Sequence, residues 1–350
     1  MGETGIGPLI TAVIPTYRRP MLLRRAIRSV LAQTYPHLRV CVYDNASGDE
    51  TPSVVDEMAR TDCRIKYYCH PENIGALKNF IYGMEQVETP FFSIFSDDDV
   101  LLPDFYQTAL AGFEKFPEVM CSVTATLQVD CRGNILGIPL LAWKPGLYLP
   151  PEGLLAMLNC LPPVWTSVLF RREVIEKVGC LDEEVGPAAD LDFELRTAAR
   201  FPIVVSLQPG AMFVRHPGSS CTSPLLSFIW PGWLKMVRNL TEDQRIPYDA
   251  RRYAGHVLTE RLKSSLVRQG LGSLVRRNWE DTLKASEVLG NHYHLRGRAR
   301  LLRVSARVCR HLPGVYYLFY ALYALRMLLM RLKGRRWRKE YGAYARQLEL

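Results

Sequence analysis

The sequence predicts an open α/β sheet with a helical appendage, and three observations carry that reading. Short β-rich runs alternate with helix-periodic segments through the first two-thirds of the chain; these runs end in polar, turn-forming clusters; and beyond about Ser223 the strands give way to basic, helical sequence. With 350 residues, 48% of them hydrophobic and 23% charged, the chain can bury a full-sized core and still carry an appendage.

The first apolar run, Leu9 to Ile14, is broken by Pro15-Thr16-Tyr17, and apolar residues recur at helical spacing from Met21 to Leu31. This is strand, loop, helix. The unit repeats with a strand over Leu38 to Tyr43, the cluster Asp44-Asn45-Ala46-Ser47-Gly48-Asp49, and a helix over Thr51 to Ala59. Ile65 to Tyr68 reads as a third strand, Ala76 to Val87 as a helix, and Phe91 to Phe95 as a fourth strand running into Ser96-Asp97-Asp98-Asp99. Strands alternating with helices of this length predict parallel pairing through right-handed crossovers. Ligands of such sheets bind at the carboxyl ends of the strands, where Thr16, Asp44 and Asp97 to Asp99 fall.

Strand-like runs between Met120 and Pro150 precede a helix over Pro150 to Leu161, a strand over Val164 to Phe170, and helices over Glu173 to Val178 and Asp190 to Ala199. Helical periodicity returns around Tyr253 to Gln269 and Trp279 to Leu289. Two domains are expected, residues 1–222 and a helical basic region at 223–350.

The formal charge of +9 is concentrated from about Arg245 onward. It belongs to the appendage, and without a recognisable reader motif it does not make nucleic acid an expected partner. Nine cysteines with no Cys-x-x-Cys pair fit neither a disulfide framework nor a thiolate zinc site. Met1 to Pro8 lacks the basic-then-apolar pattern of a secretory signal, so cytoplasmic residence is expected.

Three consecutive carboxylates at a strand end need a counter-ion, and a hard divalent cation with oxygen ligands is a natural one. Such an ion keeps positions open for phosphate oxygens, so Asp97 to Asp99 point to a diphosphate-bearing ligand; an acidic turn capping the next helix is the plainer alternative. Asp44 could accept the imide N–H of a uracil or thymine, or simply close an Asx-turn with Asn45 and Ser47. Asp190 and Asp192 stand near a helix start, where an aspartate is either an N-cap or, beside a metal-diphosphate site, a general base. His216, after Phe213-Val214-Arg215, is either structural or a ligand to metal or phosphate.

Several segments together resemble glycosyltransferase family 2: Ala12-Val13-Ile14-Pro15-Thr16-Tyr17-Arg18-Arg19, Ser29 to Tyr35, Val42 to Asp49, Asn73-Ile74-Gly75, Phe95 to Asp104, and Asp190 to Arg196. The resemblance covers roughly residues 9 to 222. It implies a GT-A fold, a Rossmann-like open mixed sheet flanked by helices, and an inverting transfer from a nucleoside-diphosphate sugar with Mn²⁺ or Mg²⁺. Position by position it implies that Pro15, Thr16, Tyr17 and Arg18 form the nucleotide loop, that Asp44 recognises the base and that Lys78 lies near the nucleotide. It further implies that Asp97 serves the ribose, that Asp98, Asp99 and His216 serve the metal, and that Asp190 is the base.

The chain departs from the family pattern at Ser96, where an Asp often opens the acidic motif, and at Ala189-Asp190, where a Glu-Asp pair is usual. Its one Arg-Trp pair, Arg336-Trp337, has Lys333 where the Gln-x-x-Arg-Trp signature of processive synthases has Gln. One sugar per event is therefore expected, from a UDP- or dTDP-type donor to a glycan or lipid-linked hydroxyl; a non-catalytic nucleotide-sugar-binding scaffold is the competing class. Leu312 to Leu332, rich in Leu, Tyr and Met and followed by a basic run, suggests an interfacial helix on the inner face of an anionic membrane, or a helix packed within the protein.

Overall fold

The computed structural model describes residues 7–216 and 226–312, with scattered positions between 314 and 344. These residues fall into two compact units: Met1–Glu183, Ala189–Ser219 and Arg336–Leu350 make one, and Glu184–Ala188 with Ser220–Arg335 make the other.

The first unit opens with β1 (Ile10–Thr16), α1 (Pro20–Leu31), β2 (Leu38–Asp44), α2 (Thr51–Ala59), β3 (Ile65–Cys69), α3 (Ala76–Glu85) and β4 (Phe91–Ile94). β1 is buried at every residue, as expected of a strand covered on both faces. It pairs in parallel with β2 on one side and β4 on the other, and β2 pairs in parallel with β3. Pro20 stands at the first helical turn of α1, where its missing N–H costs nothing, and Leu23, Ala26, Ile27 and Val30 form the buried face. α3 packs closely over β1 because Gly83 leaves room: a Cβ there would lie 2.6 Å from the Val13 side chain.

The remaining elements are β5 (Val100–Leu101), α4 (Phe105–Lys115), β6 (Cys121–Asp130), β7 (Ile135–Gly137), β8 (Gly146–Tyr148), α5 (Glu152–Asn159), β9 (Val168–Arg171), α6 (Glu173–Val178), α7 (Ala189–Arg200) and β10 (Ile203–Arg215). The main path of the sheet runs β3-β2-β1-β4-β9-β6-β10-β5, with β7 on β6 and β8 on β10. Expected parallel pairing holds for the first four strands and for β6 with β10, but β9, β5, β7 and β8 are antiparallel to their neighbours. The sheet is therefore mixed. The short hairpin between β6 and β7, which has no crossover helix, accounts for one of these reversals.

The strand expected over Val164 to Phe170 begins only at Val168, because Trp165–Ser167 form a 3₁₀ turn. Ser167 fixes that turn, its hydroxyl bonding the carbonyls of Thr124 at 2.8 Å and Val164 at 3.1 Å. The turn aims Thr166 at the carboxyl edge of the sheet.

The second unit contains α8 (Leu226–Thr241), α9 (Tyr248–Val275), α10 (Trp279–Glu287) and α11 (Arg296–His311). Its core gathers Leu262 and Leu266 of α9, Ala285 of α10, Leu289, and Ala299 and Leu302 of α11. Most of the Leu312 to Leu332 segment lies outside the described residues. No helix among the described residues is long and apolar enough to cross a membrane.

Candidate active site

The carboxyl ends of β1, β2 and β4 carry Pro15, Thr16, Asp44 and the turn Asp97 to Asp99. Pro15 and Thr16 end β1 in register with Tyr43 and Asp44 of β2. The chain then turns through Arg18, whose φ of 54° is unusual for a side-chain-bearing residue. That turn lets the Arg18 backbone N–H donate to Ser47 Oγ at 2.8 Å and its Nε donate to the Ser47 carbonyl at 3.0 Å. The Arg18 guanidinium sits 5.1 Å from the centroid of the half-exposed Tyr17 ring.

Asp44 is wholly buried. Its Oδ1 accepts from the Ser47 N–H and hydroxyl, and its Oδ2 accepts from the Tyr67 hydroxyl at 2.7 Å. Asp44 therefore closes the turn on Ser47, three residues on rather than the two of an Asx-turn, and also braces β3. Burial and the Asp44 carboxylate push the Tyr67 hydroxyl far above the ordinary phenol range.

The acidic triplet is cross-braced in a different way at each residue. Thr16 Oγ1 donates to Asp97 Oδ2 at 2.6 Å. One nitrogen of Arg19, Nη1, donates to Asp97 Oδ1 at 3.1 Å and to Asp98 Oδ2 at 3.0 Å. His216 Nε2 lies 2.9 Å from that same Asp98 Oδ2, and Arg25 Nη2 donates to the Asp98 carbonyl at 2.6 Å. Asp99 points into protein: Oδ2 accepts from the Thr166 hydroxyl and Oδ1 from the Val214 N–H at 3.0 Å. Desolvation raises Asp97 and Asp99 above the usual carboxylate range; Asp98 adds to the rise at both, while Thr16 and Arg19 oppose it at Asp97 and Thr166 and Val214 oppose it at Asp99.

Asp190 and Asp192 separate cleanly on α7. Asp192 has no exposed surface, and its Oδ2 accepts from Arg196 Nε at 2.6 Å. Arg196 in turn binds the carbonyls of Val178 and Cys180, so this pair ties α7 to the end of α6. Asp190 is exposed, with Oδ1 accepting from the Leu191 N–H at 2.7 Å. Desolvation by surrounding protein still moves its carboxyl upward, against that bond. One helical turn on, Glu194 is 5% exposed and its Oε1 has no hydrogen-bond partner among the described residues. Burial first, and Asp190 second, raise the Glu194 carboxyl well above its ordinary value.

Lys78 lies in the first turn of α3, 3.8 Å from Glu183 with both side chains more than half exposed, and none of its bonds reaches the triplet. Sequence reasoning missed Arg19, Arg25, Tyr67, Thr166 and Glu194 as site residues. Arg19 had a signal, since three adjacent carboxylates require positive charge and Arg19 leaves the β1 loop that faces them. Glu194 also had one, being four residues beyond Asp190 on a helix face.

Among the described residues, no three His, Cys, Asp or Glu side chains form a ready ion cage. Asp98 Oδ2 and His216 Nε2 are nevertheless an oxygen and a nitrogen donor that could hold an ion, which would replace the hydrogen bond between them and the Arg19 bond to the same oxygen. A Mg²⁺-like ion commonly takes one or two carboxylates and completes its shell with phosphate and water.

The glycosyl transferase family 2 model matches residues 11–179. A β-1,3-glucosyltransferase of Campylobacter jejuni, named for a GalNAc(5)-diNAcBac-PP-undecaprenol substrate, is 31% identical over 129 residues, 37% of this chain and 41% of the relative. An uncharacterized glycosyltransferase of Rickettsia bellii is 34% identical over 293 residues, 80% of this chain and 41% of the relative. The matched stretch thus spans about two-fifths of the length of these curated relatives. Among solved structures, S. aureus TarS residues 1–349 with UDP-GlcNAc superposes with a TM-score of 0.63 at 16% identity, covering 87% of this chain and 92% of that one. A Pyrobaculum calidifontis mannosyltransferase with GDP-Man and Mn²⁺ gives 0.53 at 17% identity, covering 95% and 88%. The mixed sheet has the GT-A fold of these neighbours, and residues 11–179 form a domain that matches glycosyl transferase family 2.

Proposed function

We propose that this chain is an inverting glycosyltransferase that moves one sugar from a nucleoside-diphosphate sugar, of UDP or dTDP type, to a hydroxyl of a lipid-linked or other glycan acceptor. The convergence of Thr16, Arg19, Asp97, Asp98 and His216 at one sheet edge is the observation that carries it. Naming of one relative for an undecaprenol-diphosphate substrate, and a neighbour's bound UDP-GlcNAc, support the acceptor and donor classes.

In this reading Pro15 to Arg18, with Asp44 behind them, form the nucleotide wall, and Asp97 meets the ribose. Asp98 and His216 would hold Mn²⁺ or Mg²⁺, which would supply Lewis-acid neutralisation of the leaving diphosphate. Asp99, engaged on both oxygens, holds the loop rather than the ion. Arg19 provides further positive charge toward the diphosphate, whereas Lys78 faces Glu183 instead.

Asp190 takes the acceptor hydroxyl proton while that oxygen attacks the anomeric carbon from the face opposite the diphosphate. The bond from that carbon to the diphosphate oxygen breaks, its electron pair leaves with the diphosphate, and configuration inverts. Exposure of Asp190, against the buried ion pair of Asp192, supports Asp190 over Asp192 as the base. The basic second unit fits a peripheral position at the cytoplasmic face of an anionic membrane.

The test is a panel of UDP-, dTDP- and GDP-sugars with Mn²⁺ and a polyprenyl-diphosphate-linked acceptor, scored by nucleotide release and product anomer. One UDP- or dTDP-sugar giving a singly extended product of inverted configuration is expected. Retained configuration, or no product from any member, would contradict the proposal.

A further inference from the structure

From Val288 to Leu312 the sequence holds six arginines and no Asp or Glu. Four of them, Arg296, Arg300, Arg303 and Arg307, follow one another at spacings of four, three and four residues, which places them on one face of α11. They line a cavity of about 920 Å³ together with the turn that precedes the helix. All four are exposed, and none makes a side-chain hydrogen bond or ion pair among the described residues.

This arrangement has no internal reward. Like charges one turn apart repel. The first turn of α11 has no acidic residue to complement the positive end of the helix dipole, and arginine is the wrong charge there. The buried face, Ala299, Leu302, Ser305, Ala306 and Cys309, anchors the helix without help from the arginines. What satisfies such a row is an anion outside the chain. Guanidinium forks match phosphate oxygens in pairs, and the helix terminus adds attraction of the same sign.

Beside the arginine row runs an apolar one. Leu301 is 53% exposed and Val304 51%, three residues apart on the adjacent outer face, and Leu312, just past the end of the helix, is 56% exposed. Soluble phosphate leaves these residues wet. A phosphate at a lipid surface seats on the arginines while the acyl region covers the leucines and valine, which is the division of labour of an interfacial helix.

We propose that α11 is a binding site for the phosphate headgroups of anionic lipid, with Arg296, Arg300, Arg303 and Arg307 on the phosphates and Leu301 and Val304 in the acyl boundary. This rests on the reading that the acceptor is presented at a membrane surface, and it names the part of the chain that meets that surface.

The full chain is sedimented with phosphatidylcholine vesicles, with and without phosphatidylglycerol, and UDP binding in Mn²⁺ is measured on the same samples. Binding to the anionic vesicles is expected, falling on the order of a hundredfold in Arg300→Gln/Arg303→Gln/Arg307→Gln, at roughly fivefold per charge. Leu301→Ser/Val304→Ser lowers it by a smaller factor, and both variants keep their UDP affinity. Equal partition of the parent and the triple variant, or equal binding to neutral vesicles, overturns the proposal. Tight binding of inorganic pyrophosphate without vesicle binding overturns the lipid assignment in favour of a soluble anion. If UDP fails to bind the parent while the vesicle result holds, the catalytic reading falls and this one stands.

Discussion

The carboxyl edge of the sheet and helix α11 treat charge in opposite ways. At the sheet edge, Asp44, Asp97, Asp98 and Asp99 are buried, and each accepts hydrogen bonds from named partners. On α11, four arginines are exposed and unpaired among the described residues. Buried charge is expensive and survives only where the fold answers it, so its removal should disturb both structure and chemistry. Exposed, unanswered charge costs the fold little, so its removal should disturb only what binds from outside.

The sharpest break in that comparison is Asp190, an exposed carboxylate among buried ones. Asp190→Asn should lower sugar transfer by about 10²- to 10⁴-fold while leaving donor binding within a small factor. Turnover near that of the parent would remove the base from Asp190.

Asp44→Asn comes next. The substitution turns an acceptor of three hydrogen bonds into a group that presents an N–H₂ to donors. A loss of about 1–3 kcal/mol in denaturant unfolding is expected, with weakened nucleotide binding, because the turn at Ser47 also positions Arg18. Unchanged stability would mean that the buried network is not what holds this edge.

Glu194→Gln sharpens the contrast through pH. The Glu194 carboxyl holds its proton to higher pH when folded than when unfolded. The folded state thus binds more protons as pH rises past the ordinary glutamate range, and stability falls until the raised folded value is passed. Glu194→Gln should match the parent in thermal unfolding below pH 4 and exceed it progressively above. A constant difference across pH would show that Glu194 does not titrate abnormally. The smallest effect belongs to α11, where Arg303→Gln should change unfolding free energy by less than about 0.5 kcal/mol.

The parts of the fold legible in sequence share one property: their signal is local. β1, β2 and β4 alternate with amphipathic helices, and each ends in residues that break it, so the sheet edge carrying Asp44 and Asp97 could be located by periodicity alone. β10 was not legible as a strand over its length, because Pro209 and Gly210 interrupt it and the pairing with β6 shifts register there. α4 was recognised only as a helix following the acidic turn, and β5 is two residues long. The identities of the acidic residues were visible, but their division of labour was not. Thr166 lies 67 residues from Asp99 and Arg19 lies 78 from Asp97, so the bonds that tie Asp99 to Thr166 and Val214, and Asp98 to Arg19 and His216, exist only after folding. The basic character of the last third was equally plain, whereas the alignment of four arginines on one face required the bounds of α11.

The central claim is that Asp98 and His216 make this edge a metal-dependent nucleotide site. Calorimetric titration of UDP into the parent and into Asp98→Asn, each with Mn²⁺ and with chelator, tests it most directly. Saturable binding that requires Mn²⁺ and weakens at least about tenfold in Asp98→Asn is predicted. Binding of equal strength in all four titrations would contradict it.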